Sequence, residues 1–188
     1  MNETSSPGLQ SLVGAAARKG VALDVRLMPA GFNSEEEAAA AAGVDLGQIV
    51  TSLVFVAPRR EGRPVTIVCL VSGRNRVDLG YLAAVTGEVD LRRATERETL
   101  ELTGYSVGTV PPFGHGRNVS TVMDQDLAQY EWVWAAAGAV GAQFRVAPQT
   151  LRMLGNAMVA PVAATSWRHS SPARQEEPGL QFGGGAGA

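Results

Sequence analysis

The sequence predicts an α/β domain: a single mixed β-sheet with helices packed around it. Two observations predict it. Helical and extended patterns follow one another in the order α-β-α-β-β-α-α-loop-β-β-β-α-β, which lacks the regular strand–helix alternation of a doubly wound sheet. The chain has 188 residues, 45% of them hydrophobic, which suits one domain with a sizeable core.

Each element has its own local warrant. Ser6 can cap a first helix, Pro7 fits its first turn and Gly20 can end it, with Leu9, Leu12, Val13 and Ala16 on one face. Val21–Met28 alternates apolar and polar residues, as a half-buried strand does, and Pro29 and Gly31 stop it. Ser34-Glu-Glu-Glu37 has the form of a capping box, with acids in the first turn of an alanine-rich helix that Gly43 ends. Ser52–Ala57 and Val65–Ser72 form a hairpin around PRREGRP, whose Pro58, Gly62 and Pro64 are turn residues. Asp78 can cap a helix that buries Leu79, Leu82, Ala83 and Val85 before Gly87. Thr95-Glu-Arg-Glu98 repeats the capping-box pattern before a short helix ending near Gly104.

Residues 104–118, GYSVGTVPPFGHGRN, hold four glycines and two prolines. A loop of that kind inside a compact domain is usually functional or mobile. Val119–Met123, Val133–Ala137 and Gln143–Val146 read as short strands. Pro148 starts a last helix, with Leu151 and Leu154 facing inward and Gly155 as its stop, and Met158–Ala163 closes the domain. Residues 166–188 cannot bury a core and are expected to be disordered. The expected organisation is a flexible segment 1–7, a folded domain 8–165 and the tail.

Composition excludes several function classes. The net charge of −2 gives no bulk support for a nucleic-acid binder, although a small basic patch would suffice. The basic residues are fifteen arginines and a single lysine, Lys19, so chemistry that needs a lysine amine has one candidate. The one cysteine, Cys69, is flanked by apolar residues and reads as a small buried hydrophobe rather than a nucleophile. Two histidines and one cysteine at unrelated positions build no metal cluster. GxGxxG, P-loop and HExxH patterns do not occur, so neither a metal nor a cofactor is expected. The first ten residues lack the form of a signal peptide, and no apolar stretch reaches membrane-spanning length. A soluble, cytoplasmic protein is the expectation.

Few residues stand out chemically. His169 lies in the tail. His115, in PPFGHG, is either a solvent-facing loop residue or a pocket-lining donor or general base. Gly108-Thr109 is either a plain turn or a bend that aims backbone N–H groups into a pocket, where they can stabilise an oxyanion. The arginines between Arg59 and Arg97 are interleaved with acids and read as a salt-bridged surface before they read as a phosphate-binding patch. Trp132 and Trp134 are expected on opposite sides of a strand, one in the core and one at the surface. Thr51, in QIVTSLVF, reads as a β-branched residue where the chain enters a strand.

Read in order, EEEAAAAAGVDLGQIVTSLVFVA, TIVCLVSGRNRVD, TGYSVGTVPPFGH, STVMDQDL, VWAAAG and FRVAPQTL resemble the YbaK/prolyl-tRNA-synthetase-associated family of aminoacyl-tRNA editing domains. The resemblance spans about residues 8–165 and is carried by the ordered set of segments. It implies a single α/β domain with a mixed, partly barrel-like sheet flanked by helices. It implies hydrolysis of the ester that joins a wrong amino acid to tRNA, with the acceptor end of aminoacyl-tRNA as partner and a homodimer or a synthetase as a further association. It also implies the site. Gly108, Thr109, His115 and Thr51 stand at its reacting centre, and Met28, Ser72, Gly73, Asn75, Val110, Pro111 and Gln143 line the substrate.

This sequence departs from the family pattern at the centre. The family usually carries lysine at the position of Thr51, and well-studied branches carry tyrosine at that of Met28 and aspartate at that of Gln143. The residue after Gly108, often a second glycine, is Thr109. Three readings follow. The chain is a deacylase of altered specificity, a non-catalytic relative that binds an aminoacyl group or a protein, or an enzyme repurposed for another activated acyl or small-molecule substrate.

Overall fold

The computed structural model describes residues 6–28, 34–59, 61–115 and 119–164. The tail 166–188 with His169, residues 1–5 of the expected flexible segment, and the strand breakers Pro29 and Gly31 lie outside the described residues. The elements run α1 (Pro7–Arg18), β1 (Val25–Leu27), α2 (Glu35–Ala42), β2 (Ile49–Ala57), β3 (Val65–Ser72), α3 (Leu79–Thr86), β4 (Arg92–Arg93), α4 (Glu96–Thr103), β5 (Ser120–Asp124), β6 (Val133–Ala136), β7 (Ala142–Val146), α5 (Pro148–Gly155) and β8 (Met158–Ala160).

The caps act as their residue types dictate. Ser6, Ser34, Asp78 and Thr95 each accept a hydrogen bond from a backbone N–H in the first turn of α1, α2, α3 and α4. Thr95 and Glu98 form the full reciprocal capping box. At α2 only half of that pattern is present, the bond from the Glu37 N–H to Ser34. Pro7 is the first residue of α1.

All the strands join one mixed sheet in the order β1-β7-β6-β2-β3-β5-β8, with β4 attached to β2 off this path. The β2–β3 hairpin is antiparallel, whereas β2–β6, β3–β5 and β5–β8 are parallel. On its other edge β2 is shared: Ile49 and Val50 pair with β6, and Phe55 and Val56 with β4. The path leaves β1 and β8 as the two edges. The extended stretch expected at Val21–Met28 pairs only over Val25–Leu27, because β7 offers partners to those three residues alone. In the opposite direction, β2 begins at Ile49 rather than Ser52, since β6 reaches it there.

The pleat sorts residues onto two faces. Val50, Val54 and Val56 of β2 join Val68, Leu70, Met123, Ala135 and Phe144 in the largest core cluster, against Leu9, Leu12 and Ala16 of α1 and Leu151 and Leu154 of α5. The opposite face carries two separate clusters. Ile49 and Trp134 pack under Ala38 and Ala39 of α2, while Phe55, Ile67, Cys69 and Val71 pack with Leu82 of α3. The tryptophans correct the expectation that they face opposite sides. Two residues apart, they share a face. Trp134 is buried beneath α2, and Trp132, just ahead of β6, is exposed with the Arg145 guanidinium lying over its ring.

Lys19, the single lysine, is used structurally. Its Nζ donates to the carbonyls of Met153 (2.7 Å) and Leu154 (3.0 Å) at the C-terminal end of α5, tying α1 to α5 where a cation suits the helix dipole. Lys19→Ala is predicted to lower stability by about 1 kcal/mol. Urea unfolding checks this through a lower midpoint at an unchanged slope, and an unchanged midpoint contradicts it.

Candidate functional site

Thr51 lies at a seam. On its face of β2, Ile49 belongs to the cluster under α2, and Leu53 and Phe55 belong to the cluster under α3. Thr51 stands between the two, half-buried, with Val71 as its cross-strand neighbour. Its Oγ1 donates to Oε1 of Glu35 at 3.2 Å. Glu35 opens α2 and sits three, four and seven residues before Ala38, Ala39 and Ala42, the stripe that α2 lays on the sheet. Glu36 and Glu37, by contrast, are exposed.

Strand register brings two more expected site residues to this face. Gln143 of β7 pairs with Arg26 of β1 and with Ala136 of β6, and Met28 packs against the cluster beneath α2. The Oε1 of Gln143 is buried and has no hydrogen-bond partner among the described residues. Arg26 lies over Trp134, its guanidinium carbon 5.3 Å from the ring centroid, and pairs with Asp24.

Ser72, Gly73 and Asn75 frame the seam, with their polar atoms engaged inside the protein. Ser72 donates to the Gly47 carbonyl at 2.9 Å. Buried Asn75 donates to Asp124 at 2.6 Å and to Asp126 at 3.1 Å, which fixes the turn that follows β3. At Gly73 a Cβ would stand 2.7 Å from the Leu46 carbonyl oxygen and 3.5 Å from the Glu35 Cβ, so the bare backbone is what lets α2 and its approach sit this close to β3.

The loop at 104–115 is anchored on the other face. Val110 and Phe113 are buried in the cluster beneath α1, and Pro111 is buried beside them. Gly108 adopts φ +84° in an exposed turn, with nothing within 4 Å of where its Cβ would be. Its glycine is required by the backbone conformation and not by crowding. The Thr109 N–H is spent within the turn on the Ser106 carbonyl at 3.0 Å, and its hydroxyl donates to the same oxygen. Gly108 and Val110 retain N–H groups without a backbone acceptor among the described residues.

His115 packs edge-on against Tyr105, ring centroids 5.7 Å apart. Neither ring nitrogen has a hydrogen-bond partner among the described residues. Burial pushes the imidazole down to about 4, with the Pro111 backbone working weakly the other way, so the ring is neutral at pH 7. The expected site residues thus divide. Met28, Thr51 and Gln143 share the α2 face, whereas Val110 and Phe113 anchor the His115 loop to the α1 face.

Two other expectations are answered by burial and pairing. Cys69 is fully buried, and desolvation, aided by the charge of Asp124, pushes its thiol up to about 12, which leaves it unreactive. Arg59 pairs with Glu88, Arg92 with Glu98 through two bonds, Arg97 with Glu101 and Arg74 with Asp45, as a salt-bridged surface requires. Residues the sequence reasoning passed over are Glu35 and Ser52; the Ser52 Oγ, on the face opposite Thr51, is buried without a partner among the described residues.

Comparison with known proteins bears on this geometry. Residues 29–154 match the family described as the aminoacyl-tRNA editing domain. A candidate Cys-tRNA(Pro)/Cys-tRNA(Cys) deacylase of Enterococcus faecalis is 26% identical over 129 residues, 69% of this chain and 76% of that protein. Proline–tRNA ligase of Limosilactobacillus fermentum is 29% identical over 97 residues, 52% of this chain and only 17% of the ligase. The crystal structure of a candidate trans-editing enzyme for prolyl-tRNA synthetase superposes with a TM-score of 0.76 at 42% identity, covering 85% of this chain and 99% of that one.

The depressed His115 gives a pH signature. On acidification the unfolded chain protonates this residue near pH 6.5, and the folded chain only near 4. Stability is therefore fully present above about 6.5 and is predicted to fall as pH drops towards 4, by roughly 3 kcal/mol from this group. His115→Phe is predicted to flatten the profile in that window. Urea unfolding of both proteins across it measures the difference, and parallel profiles contradict the assignment.

Proposed function

Because this chain belongs to the aminoacyl-tRNA editing domain family, we propose that it is a trans-acting deacylase that hydrolyses the ester between a mismatched amino acid and the terminal ribose of tRNA. The observation that supports this reading is that the fold covers 99% of a candidate trans-editing enzyme for prolyl-tRNA synthetase at 42% identity. The relatives direct attention to mischarged tRNA(Pro) as the first substrate to try.

The reaction needs little from side chains. Water adds to the ester carbonyl carbon, and the bond from that carbon to the ribose oxygen breaks. One water proton goes to the leaving ribose oxygen, which yields the free amino acid and the tRNA hydroxyl. The ester is already activated, and the neighbouring ribose hydroxyl can relay the proton. Orienting the ester and stabilising the developing oxyanion then do most of the work. We assign oxyanion stabilisation to the exposed Gly108 turn, whose backbone is open on the glycine side. Thr51 and Glu35 contact the aminoacyl group from the α2 face, with Met28 and Gln143 alongside. His115, neutral and turned onto Tyr105, supports the loop. Ser72, Gly73 and Asn75 hold the seam in shape.

One observation favours a second reading, a relative that binds aminoacyl groups without hydrolysing them. Thr51 offers no charge, and the Thr109 N–H is consumed by its own turn. A panel of mischarged tRNAs decides between the two. The deacylase reading expects at least one pair to be hydrolysed well above the uncatalysed rate. It expects Gly108→Ala to cut that rate by about tenfold to a hundredfold, while the strain of a methyl-bearing residue at positive φ lowers stability by only about 1–2 kcal/mol. No hydrolysis for any pair contradicts it.

A further inference from the structure

We infer that Glu35 recognises the α-ammonium of the aminoacyl group, so that the site selects esters of free amino acids over N-blocked or peptidyl esters; this rests on the deacylase-family reading of the α2 face. Glu35 is the only one of the three acids opening α2 that is not exposed. It lies on the stripe that buries Ala38 and Ala39, where burying a carboxylate costs more than leaving it in water unless a partner is supplied. The partner supplied by the protein is a neutral hydroxyl, Thr51 Oγ1 at 3.2 Å, and Glu35 has no ion pair among the described residues.

The polar atoms on this face are short of donors. The Thr51 hydroxyl spends its hydrogen on Glu35, and among the described residues no donor is recorded for the Thr51 lone pairs or the remaining Glu35 side-chain acceptor sites. The Gln143 Oε1 on the same face also lacks a donor among the described residues. An ammonium brings one positive charge and three donors, which is the complement of such a site. The bare backbone of Gly73 leaves room for Glu35 at the seam, since a Cβ there would stand 3.5 Å from the Glu35 Cβ. The positive charge at the centre of the site is thus carried by the substrate.

The test uses hydrolysis-resistant analogues, a 3′-aminoacylamido adenosine and its counterpart lacking the α-amine, titrated into the full-length protein by calorimetry. The wild type is expected to bind the amine-bearing analogue about tenfold or more tightly. Glu35→Gln, which keeps the shape and the bond to Thr51, is expected to lose most of that preference, and Glu36→Gln to retain it. Thr51→Lys, which sets a fixed ammonium against the carboxylate, is expected to lose it too and serves if Glu35→Gln folds poorly. Equal binding of both analogues by the wild type, a preference that survives both Glu35→Gln and Thr51→Lys, or no binding of either analogue overturns the inference. If the preference is found but no mischarged tRNA is hydrolysed, the deacylase reading fails while the ammonium site stands.

Discussion

One strand serves two helices on the same face, and the remainder of the site follows from that. β2 contributes Ile49 to the cluster under α2 and Leu53 and Phe55 to the cluster under α3. Two helices cannot both cover the residue between them, so Thr51 is left at a seam. A fully apolar residue there would fuse the two clusters. A polar residue keeps a half-buried polar site in the middle of an otherwise apolar sheet face. On the opposite face of β2, Val50, Val54 and Val56 all feed one core beneath α1 and α5, with Ser52 between Val50 and Val54.

The seam is kept open by contacts that are mostly backbone. The Gly73 N–H donates to the Ile49 carbonyl at 2.8 Å, the Ser72 hydroxyl to the Gly47 carbonyl, and Asn75 clamps the following turn onto Asp124. These bonds fix the start of β2 against the end of β3, and with them the first turn of α2 that carries Glu35. Asp124 is wholly buried, and its carboxyl is raised by burial while Asn75 pulls the other way, so this clamp is a satisfied polar core element and not a surface ornament. The function proposed for the face therefore depends on this frame.

Much of this was legible in the residues. Ser6, Ser34, Asp78 and Thr95 announced four helix starts, because capping is a local interaction written within four residues. The hairpin returned at Val65 as the proline-rich turn required. What depends on distant partners was not legible. Val21–Asp24 has strand alternation but no neighbour to pair with, and the two-residue β4 has a neighbour but no pattern. The parallel partners of β2 and β3 lie far along the chain, and nothing local names them. Glu35 was hidden among three consecutive acids that read as a helix start, although its spacing to Ala38, Ala39 and Ala42 marked it as inward-facing. Gly108 was singled out correctly for its positive φ, but that the turn consumes the Thr109 N–H appears only in three dimensions.

The central claim is that the aminoacyl group is held on the α2 face, in the seam at Thr51, and not on the α1 face near His115. A crystal structure with a bound 3′-aminoacylamido adenosine tests it most directly. The account predicts the amino acid portion between the two helix clusters, its ammonium within hydrogen-bonding distance of Glu35 and Thr51. An analogue seated against Tyr105 and His115, with the seam at Thr51 left empty, would contradict it.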